Sequence, residues 1–150
     1  MPSKAISPDQ ALRLDNQVCF ALYSASHAMS RAYKPHLDAL GLTYPQYVAM
    51  LVLWERDGLT VSEIGERLYL DSGTLTPLLK RLEGAGYISR LRDTADERRV
   101  LIQLTAAGRK LKARAVAIPA CMLDTMQCSI KELSDLTRQV QQLRDRLQVA

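Results

Sequence analysis

Cysteine, aromatic residues and long apolar runs are all scarce in this 150-residue chain. The three cysteines, Cys19, Cys121 and Cys128, are an odd and widely spaced set, which argues against a disulfide framework and against a zinc site with paired ligands. No apolar run approaches the ~20 residues that a membrane span requires, so we expect no membrane-spanning segment. The first residues lack the basic start and apolar stretch of a secretory signal, which makes the cytoplasm the expected location.

The charge balance and the length set two further bounds. With 20 basic and 16 acidic residues the chain carries a formal charge of +4, which is compatible with a polyanionic partner but does not identify one. A chain of 150 residues is long enough for one full hydrophobic core and short for two. We therefore expect residues 1–150 to form a single domain, without a metal or other cofactor.

The first helix signal lies close to the N-terminus. Ser7 can cap a helix, Pro8 suits the first helical position, and Gln10 stands where a capping box needs it. Apolar residues then recur every three or four positions, at Leu14, Val18, Leu22, Ala25 and Met29. The pattern predicts one long helix that ends at about Lys34, because Pro35 would block its continuation.

Three shorter helices are predicted next. The first covers about residues 44–57. The second is opened by Thr60 and Glu63, which have the spacing of a capping box. The third begins near Asp71, carries leucines at helical spacing and stops at Gly84. Two short helices joined by a tight connection are the outline of a helix-turn-helix.

The hydrophobic pattern changes from helical to alternating after Gly86. Residues 87–91 and residues 100–104 each have the composition of a strand, and the residues between them are mostly polar. That loop lacks the Asn-Gly or Asp-Gly pair of a tight turn, so we expect a longer projection. The segment is therefore predicted to be a β-hairpin wing beside the helix-turn-helix.

Two helical segments complete the chain. One starts at Thr105, with a bend expected at Pro119. The other is opened by a capping box of Ser129 and Glu132 and carries an apolar stripe as far as Leu147. Apolar stripes on helices that lie outside a compact lobe need a partner surface to cover them.

Together these elements predict a mainly α fold with a small β-hairpin wing, that is, a winged helix-turn-helix with N- and C-terminal dimerisation helices. The DNA-binding lobe would cover about residues 60–104. The dimerisation helices would cover about residues 8–34 and 105–148, where a second copy of the chain would bury the stripes most simply. We expect a homodimer, which would bind a pseudo-palindromic duplex with one recognition helix in each half-site.

The predicted partner is double-stranded operator DNA, with the third short helix in its major groove. Hydroxyl side chains early in that helix are candidates for base or phosphate contacts, and basic side chains later in it for phosphate contacts. An arginine at the tip of the wing can enter the minor groove, held in a pointing geometry by a nearby carboxylate. The candidates are Ser72, Thr74, Thr76, Lys80, Arg81, Arg92, Asp96 and Arg98. The alternative is a solvated helix face beside an ordinary surface ion-pair cluster.

Several motifs resemble the MarR family of dimeric winged-helix regulators, over about residues 10–148. They are the segment Leu75–Glu83, the step at residues 86–88 and the stretch from Asp93 that ends in Asp-Glu-Arg-Arg-Val at Val100. More narrowly, two segments are similar to the organic-hydroperoxide-sensing repressors of that family, the OhrR branch. These segments are residues 15–24 and 41–47.

The resemblance implies a redox-sensing repressor of a peroxide-detoxifying gene, of the two-cysteine type, rather than an enzyme. In this chain Cys19 matches the sensing cysteine, and Tyr23, Tyr33 and Tyr44 match the tyrosines around its thiolate. The protein would bind operator DNA when reduced and release it when an organic hydroperoxide oxidises Cys19. The first product would be a sulfenic acid, which a second thiol can trap as a disulfide.

The spacing of these residues limits what each can reach. Cys19 and Tyr23 are four residues apart, so one helix places them on the same face. Within the long predicted helix Cys19 lies far from the N-terminus, so we expect only side chains to donate to its sulfur. Tyr33 would lie about 21 Å from its own Cys19. Either Tyr33 is unrelated to the sensor, or an antiparallel second copy brings it to the partner's cysteine, as the resemblance favours, with Tyr44 closing the same pocket.

The trapping thiol is left open between two residues. Cys121 and Cys128 are seven residues apart, about two turns along one stripe if their helix is unbroken. Asp124 stands near the place where the resembling family has its resolving cysteine, so the sequence does not choose between them. Either cysteine can also be an inert part of the core. A disulfide requires Cα atoms within about 7 Å, so closing one would move the helices that set the spacing of the recognition helices.

Two other functions stay open at this point. In one, a MarR-type regulator binds a phenolic ligand without covalent chemistry, and Cys19 is incidental. In the other, Cys19 turns over peroxide as a thiol peroxidase, although a helical thiol with no His or Arg nearby in sequence is a thin active site. Replacing Cys19 by Ser separates the first from the redox switch, because a ligand sensor would keep its induction.

Overall fold

The computed structural model describes residues 5–149, and its chain forms one compact unit that ends at Tyr44 and another that begins at Pro45. The helices are α1 (Pro8–Ala11), α2 (Val18–Asp38), α3 (Tyr44–Glu55), α4 (Val61–Leu68), α5 (Ser72–Gly84), α6 (Ala106–Ala115), α7 (Ile118–Met126) and α8 (Ile130–Val149). A short 3-10 turn at Leu14–Asn16 separates α1 from α2. The strands are β1 (Leu59–Thr60), β2 (Ile88–Arg92) and β3 (Val100–Leu104).

The prediction of one long N-terminal helix is wrong, because the helix is interrupted between α1 and α2. The capping box of Ser7 and Gln10 does form, with both hydrogen bonds at 3.2 Å. Two side-chain amides then take carbonyls that a continuing helix would need: Asn16 Nδ2 donates to the Gln10 carbonyl at 2.7 Å, and Gln17 Nε2 to the Ala11 carbonyl at 2.6 Å. Such side-chain competition with backbone donors ends α1 after a single turn.

The predicted helix end at Lys34 is also wrong, because α2 continues through Pro35 to Asp38. Pro35 removes one helical hydrogen bond, and only three residues of α2 follow it. Leu37 in the added turn is 2% exposed, and Lys34 Nζ lies 2.9 Å from the Asp38 carboxylate. Burial of Leu37 favours the continued helix strongly, while the exposed ion pair adds little.

The helix-turn-helix is confirmed, and so is the predicted capping box at the start of its first helix. Thr60 and Glu63 form a reciprocal capping box with hydrogen bonds of 2.8 and 3.1 Å at the start of α4. The Asp71 carboxylate accepts the Thr74 N–H at 2.8 Å at the start of α5. After α5 the backbone turns at Gly86, whose φ of +85° suits a residue without a side chain.

The sheet has one strand more than the predicted hairpin. β2 and β3 pair antiparallel as expected, with Ile88 opposite Leu104, and β1 adds to the free edge of β3, with Leu59 opposite Ile102. The order is therefore β1-β3-β2. β1 has only two residues, which is too short for an alternating pattern to reveal in the sequence.

The core of the second unit joins α3, α6 and the sheet through backbone contacts as well as side chains. Trp54 on α3 donates its indole N–H to the Gly108 carbonyl on α6 at 3.0 Å. Thr105, the N-cap of α6, donates its hydroxyl to the Gly86 carbonyl at 2.6 Å. A Cβ on Gly108 would overlap the carbonyl of Tyr87, so α6 lies directly against the backbone that leads into β2.

The C-terminal segment is divided more sharply than the sequence pattern predicts. Instead of one helix bent at Pro119, α6 ends at Ala115 and a new helix, α7, begins with Pro119 in its first turn. The capping box of Ser129 and Glu132 is confirmed at the start of α8, with hydrogen bonds of 2.7 and 3.1 Å. No helix within residues 5–149 is long and apolar enough to cross a membrane.

Gly108 offers a test of how closely α6 must pack. Gly108→Ala should lower the free energy of unfolding, measured in urea at one fixed protein concentration, by about 1–3 kcal/mol because the new methyl group overlaps backbone. Gly84→Ala is the matched control, since a Cβ there has no atom within 4 Å. It should change stability by no more than about 1 kcal/mol, in the stabilising direction. Equal effects of the two substitutions would contradict the close approach.

Candidate functional site

All five candidate residues of the predicted recognition helix lie on α5. Its leucines at 75, 78, 79 and 82 are buried, which fixes which side of the helix faces the core. Ser72, Thr74, Lys80 and Arg81 are exposed, and Thr76 is half-buried. The helix therefore presents hydroxyl groups near its start and basic groups in its later turns to the surface.

The N-cap of α5 is an ionised carboxylate. Asp71 accepts hydrogen bonds from the side chain and the backbone of Thr74, and these bonds hold the pKa of Asp71 below its usual range. A negative charge at this end also interacts favourably with the helix dipole. The first turn of α5, which carries the predicted base-contacting residues, is thus held by a charged cap.

The three candidate residues of the wing lie together at and beyond the end of β2. Arg98, whose side chain is 94% exposed, has its Nε 3.5 Å from the Asp96 carboxylate, which also accepts the Arg98 backbone N–H at 3.1 Å. Arg92 donates to the Glu97 carbonyl at 3.2 Å. The loop is longer than a tight turn, as expected, and Asp96 lies beside Arg98; an arginine that points into the minor groove stays a prediction.

Cys19 lies at the second residue of α2, and not in the middle of a helix as the sequence pattern predicts. The N-cap residue, Gln17, makes no side-chain capping bond, because its amide donates to the Ala11 and Arg13 carbonyls instead. The first N–H groups of a helix have no acceptor within it and favour a nearby negative charge. The reason for expecting only side-chain donors, a mid-helix position, is therefore wrong, and which groups donate to the sulfur stays a prediction.

An aromatic pair continues the face of α2 that carries Cys19. Tyr23 and His27 follow at intervals of four residues, and their rings are in edge-to-face contact with centroids 4.5 Å apart. Helical side chains lean toward the N-terminus, so Tyr23 leans toward Cys19 and His27 toward Tyr23. His27 is absent from the sequence-based candidates, and it contacts Tyr23 rather than Cys19. Its four-residue spacing from Tyr23 was the available signal.

The other two candidate tyrosines form a separate pair. The rings of Tyr33, on α2, and Tyr44, at the start of α3, lie 5.0 Å apart between centroids at an angle of 54°. Because α2 is continuous from Cys19 to Tyr33, the two residues are about 21 Å apart along its axis. Within one chain, Tyr23 is thus the candidate tyrosine beside Cys19, and the Tyr33–Tyr44 pair lies toward the opposite end of α2.

The two remaining cysteines do not share one helical stripe. Cys121 is half-buried within α7, whereas Cys128 follows the end of that helix, where Gln127 adopts a left-handed conformation with φ of 52°. The two-turn spacing required an unbroken helix, and the helix ends between the two cysteines. The Cys128 thiol donates to the Met126 carbonyl at 3.2 Å, so its proton is engaged in a local hydrogen bond.

Relatives of known function match most of the chain. The family model described as "Transcriptional regulator SarA/Rot" matches residues 31–115. The organic hydroperoxide resistance transcriptional regulator of Bacillus subtilis (strain 168) is 54% identical over 125 residues, which are 83% of this chain and 85% of that relative.

Solved structures of AbfR, a protein of Staphylococcus epidermidis, are also similar. Reduced AbfR bound to DNA has a TM-score of 0.78 at 35% identity, covering 94% of this chain and 99% of that one. Disulfide-formed AbfR has a TM-score of 0.64 at 36% identity, covering 90% and 95%. The structure of MarR shares the fold, with a TM-score of 0.72 at 20% identity over 89% of this chain and 100% of that one.

The charged cap of α5 makes stability depend on pH. Because the folded-state pKa of Asp71 lies below its ordinary value of 3.8, the stability that the carboxylate contributes is fully present above that value and is lost as pH falls through the lowered one. Asp71→Asn keeps a capping oxygen but does not titrate. The difference in Tm between the wild type and Asp71→Asn should be constant from about pH 7 to about pH 5 and narrow below about pH 4. A difference that stays the same down to about pH 3 would contradict this role.

Proposed function

This chain belongs to the MarR family of winged-helix transcriptional regulators, and on that premise we propose that it is a repressor whose affinity for operator DNA is controlled by oxidation of Cys19. As a member of this family it is a DNA-binding regulator and not an enzyme. The oxidant is an organic hydroperoxide, the class of compound named in the Bacillus subtilis relative. The observation that carries the proposal is the exposed thiol of Cys19 in the first turn of α2, one turn from the phenol of Tyr23.

The chemistry at Cys19 is a two-electron oxidation of sulfur. The thiolate attacks the terminal oxygen of the hydroperoxide, so that an S–O bond forms and the O–O bond breaks. The products are a sulfenic acid and an alkoxide, which takes a proton and leaves as the alcohol. The open N–H groups at the start of α2 and the Tyr23 hydroxyl stabilise the attacking anion. A second thiol then attacks the sulfenic sulfur, forming a disulfide and releasing water, and Cys121 and Cys128 are the two candidates in this chain.

The working form is a homodimer in the proposed mechanism. Large apolar side chains are exposed on α2 and α8, and a second copy of the chain would cover them. They include Val18, Phe20, Met29, Ile130, Leu136, Val140 and Leu147. An antiparallel pair of α2 helices would bring the Tyr33–Tyr44 pair of one copy to the Cys19 of the other, which a single chain cannot do.

The reduced dimer binds a pseudo-palindromic duplex in the cytoplasm through α5 and the wing. Ser72, Thr74 and Thr76 meet base edges or phosphates at the start of α5, and Lys80 and Arg81 neutralise phosphates. Arg92 and Arg98 approach the minor groove, with Asp96 holding Arg98 in place. Oxidation changes the spacing of the two α5 helices, so both half-sites are misaligned together. The similarity to AbfR supports this scheme, because AbfR is known both reduced on DNA and in a disulfide form.

A gel-shift titration tests the switch. The probe is a duplex selected from random DNA by the reduced wild-type protein, and each protein is titrated before and after one equivalent of an organic hydroperoxide. We expect oxidation to weaken binding of the wild type at least tenfold and to leave Cys19→Ser unchanged. Loss of binding by Cys19→Ser on oxidation would refute the proposal. If a phenolic compound released both the wild type and Cys19→Ser from the duplex, and peroxide had no effect on either, the protein would be a ligand sensor instead.

Single and double replacement of Cys121 and Cys128 by Ser identifies the trapping thiol. Mass spectrometry of the oxidised protein should detect a peptide disulfide-linked to Cys19, and this species should disappear when the trapping residue is replaced. The same replacement should leave DNA binding by the reduced protein unchanged. If both single variants keep a disulfide-dependent release, either cysteine can trap the sulfenic acid; if the double variant also keeps release, an external thiol is the trap.

The salt dependence of binding tests the DNA contacts. Lys80→Ala should lower the magnitude of the slope of log K against log salt by about 2 in a dimer, at about 0.9 for each phosphate that is no longer neutralised. Lys131→Ala is the control, because it removes the same charge at a site away from the lobe. Lys131 lies on α8 in an exposed ion pair with Asp135. Arg98→Ala should lower the affinity for the selected duplex by about tenfold and reduce the protein's preference for that duplex over random DNA. Equal slopes for Lys80→Ala and Lys131→Ala would exclude Lys80 from the interface.

A further inference from the structure

A contact joins the C-terminal helix α8 to the turn of the helix-turn-helix. The guanidinium carbon of Arg144, on α8, lies 4.1 Å from the centre of the Tyr69 ring, which is the stacked geometry of a cation–π interaction. The two residues are far apart in sequence, and both belong to the second unit. Tyr69 immediately follows α4 and lies two residues before Asp71, the N-cap of α5. Arg144 therefore contacts the turn between α4 and α5, and this turn sets the direction of the recognition helix.

The backbone at Tyr69 is unusual for a residue with a side chain. Its φ and ψ are 57° and 37°, in the left-handed region that glycine adopts freely and other residues adopt at a cost. The turn is also tight at Gly65, where an added Cβ would lie 2.9 Å from the Leu70 carbonyl. A strained conformation of this kind persists where the surroundings hold it, and the ring of Tyr69 is the part that Arg144 holds.

Arg144 also pairs with the residue that follows it on α8. Its Nε and Nη2 both donate to one oxygen of Asp145, at 3.0 and 2.9 Å. Its side chain is 37% exposed, although α8 has no buried residue. Arg144 thus reaches back from α8 to the lobe with its guanidinium plane held by a neighbouring carboxylate. A planar guanidinium can stack on an aromatic face in this way, whereas the ammonium of lysine cannot.

From this geometry we propose that Arg144 and Tyr69 are positioning residues for DNA binding: α8 holds the turn between α4 and α5 through this stack and so sets the orientation of the recognition helix. Neither residue needs to touch DNA for this role. The proposal rests on the DNA-binding function of the family and not on the oxidation of Cys19. All measurements below use reduced protein, so a failure of the redox switch would leave them unaffected.

The experiment compares binding of the selected duplex by full-length variants. Arg144→Ala should weaken binding about fivefold, whereas Arg144→Lys, which keeps the charge but not the stacking plane, should recover only part of it. Tyr69→Phe keeps the ring and should bind like the wild type. Tyr69→Asn tolerates the left-handed backbone but lacks the ring, and it should match Arg144→Ala. Arg146→Ala is the control, because it removes an exposed positive charge from the same end of α8.

Two further readouts separate positioning from other roles. The slope of log K against log salt should be unchanged in Arg144→Ala, whereas a direct phosphate contact would lower its magnitude by about 0.9 for each contact. The double variant Arg144→Ala/Tyr69→Asn should bind no more weakly than either single variant, because the two side chains act as one pair. The proposal is overturned if Arg144→Ala binds like Arg146→Ala, if its salt slope falls, or if the effects of the two single variants multiply. Urea unfolding of each variant, at one protein concentration, checks that all are folded in the binding assay.

Discussion

The approach of α6 to the backbone leading into β2, at Gly108 and Tyr87, is the constraint on which the second unit depends. Gly108 has no side chain to hold the two segments apart, and its carbonyl receives the indole N–H of Trp54 from α3. The hydroxyl of Thr105 adds a hydrogen bond to the Gly86 carbonyl beside them. With backbone against backbone and each of these polar groups paired, α3, α6 and the wing sheet have little freedom to slide. The turn before α5 and the breaks on either side of α7 lie outside these contacts.

The parts of the fold that could be predicted are those decided within a few residues. Thr60 with Glu63, and Ser129 with Glu132, form capping boxes because each cap is satisfied by a residue three positions away. The spacing of the leucines in α5 and the alternation in β2 and β3 likewise identify a helix and two strands through periodicity alone. The order of α4, α5, β2 and β3 followed from these local signals, and so did the prediction of a winged helix-turn-helix.

The errors lie where a distant or competing contact decides. Leu37 is buried in the folded chain, and this burial stabilises the last turn of α2, although Pro35 alone predicts that the helix ends before it. Asn16 and Gln17 end α1 with side-chain amides, in a stretch whose apolar spacing still looks helical. For the candidate site, the spacing predicted that Tyr23 lies beside Cys19. The pairing of Tyr33 with Tyr44, and of Tyr69 with Arg144, needed the fold because no periodicity relates those positions.

The interruption before α2 has a consequence for how such a chain can change over generations. The open helix start beside Cys19 exists because residues 12–17 do not continue the preceding helix. Substitutions there that improve helix propensity would fuse the two segments and withdraw the free amides, while every residue recognisable as part of the thiol site stayed intact. Under the proposed switch, related chains would then lose sensitivity to peroxide through changes in this linker, and a comparison of cysteines and tyrosines alone would not reveal it.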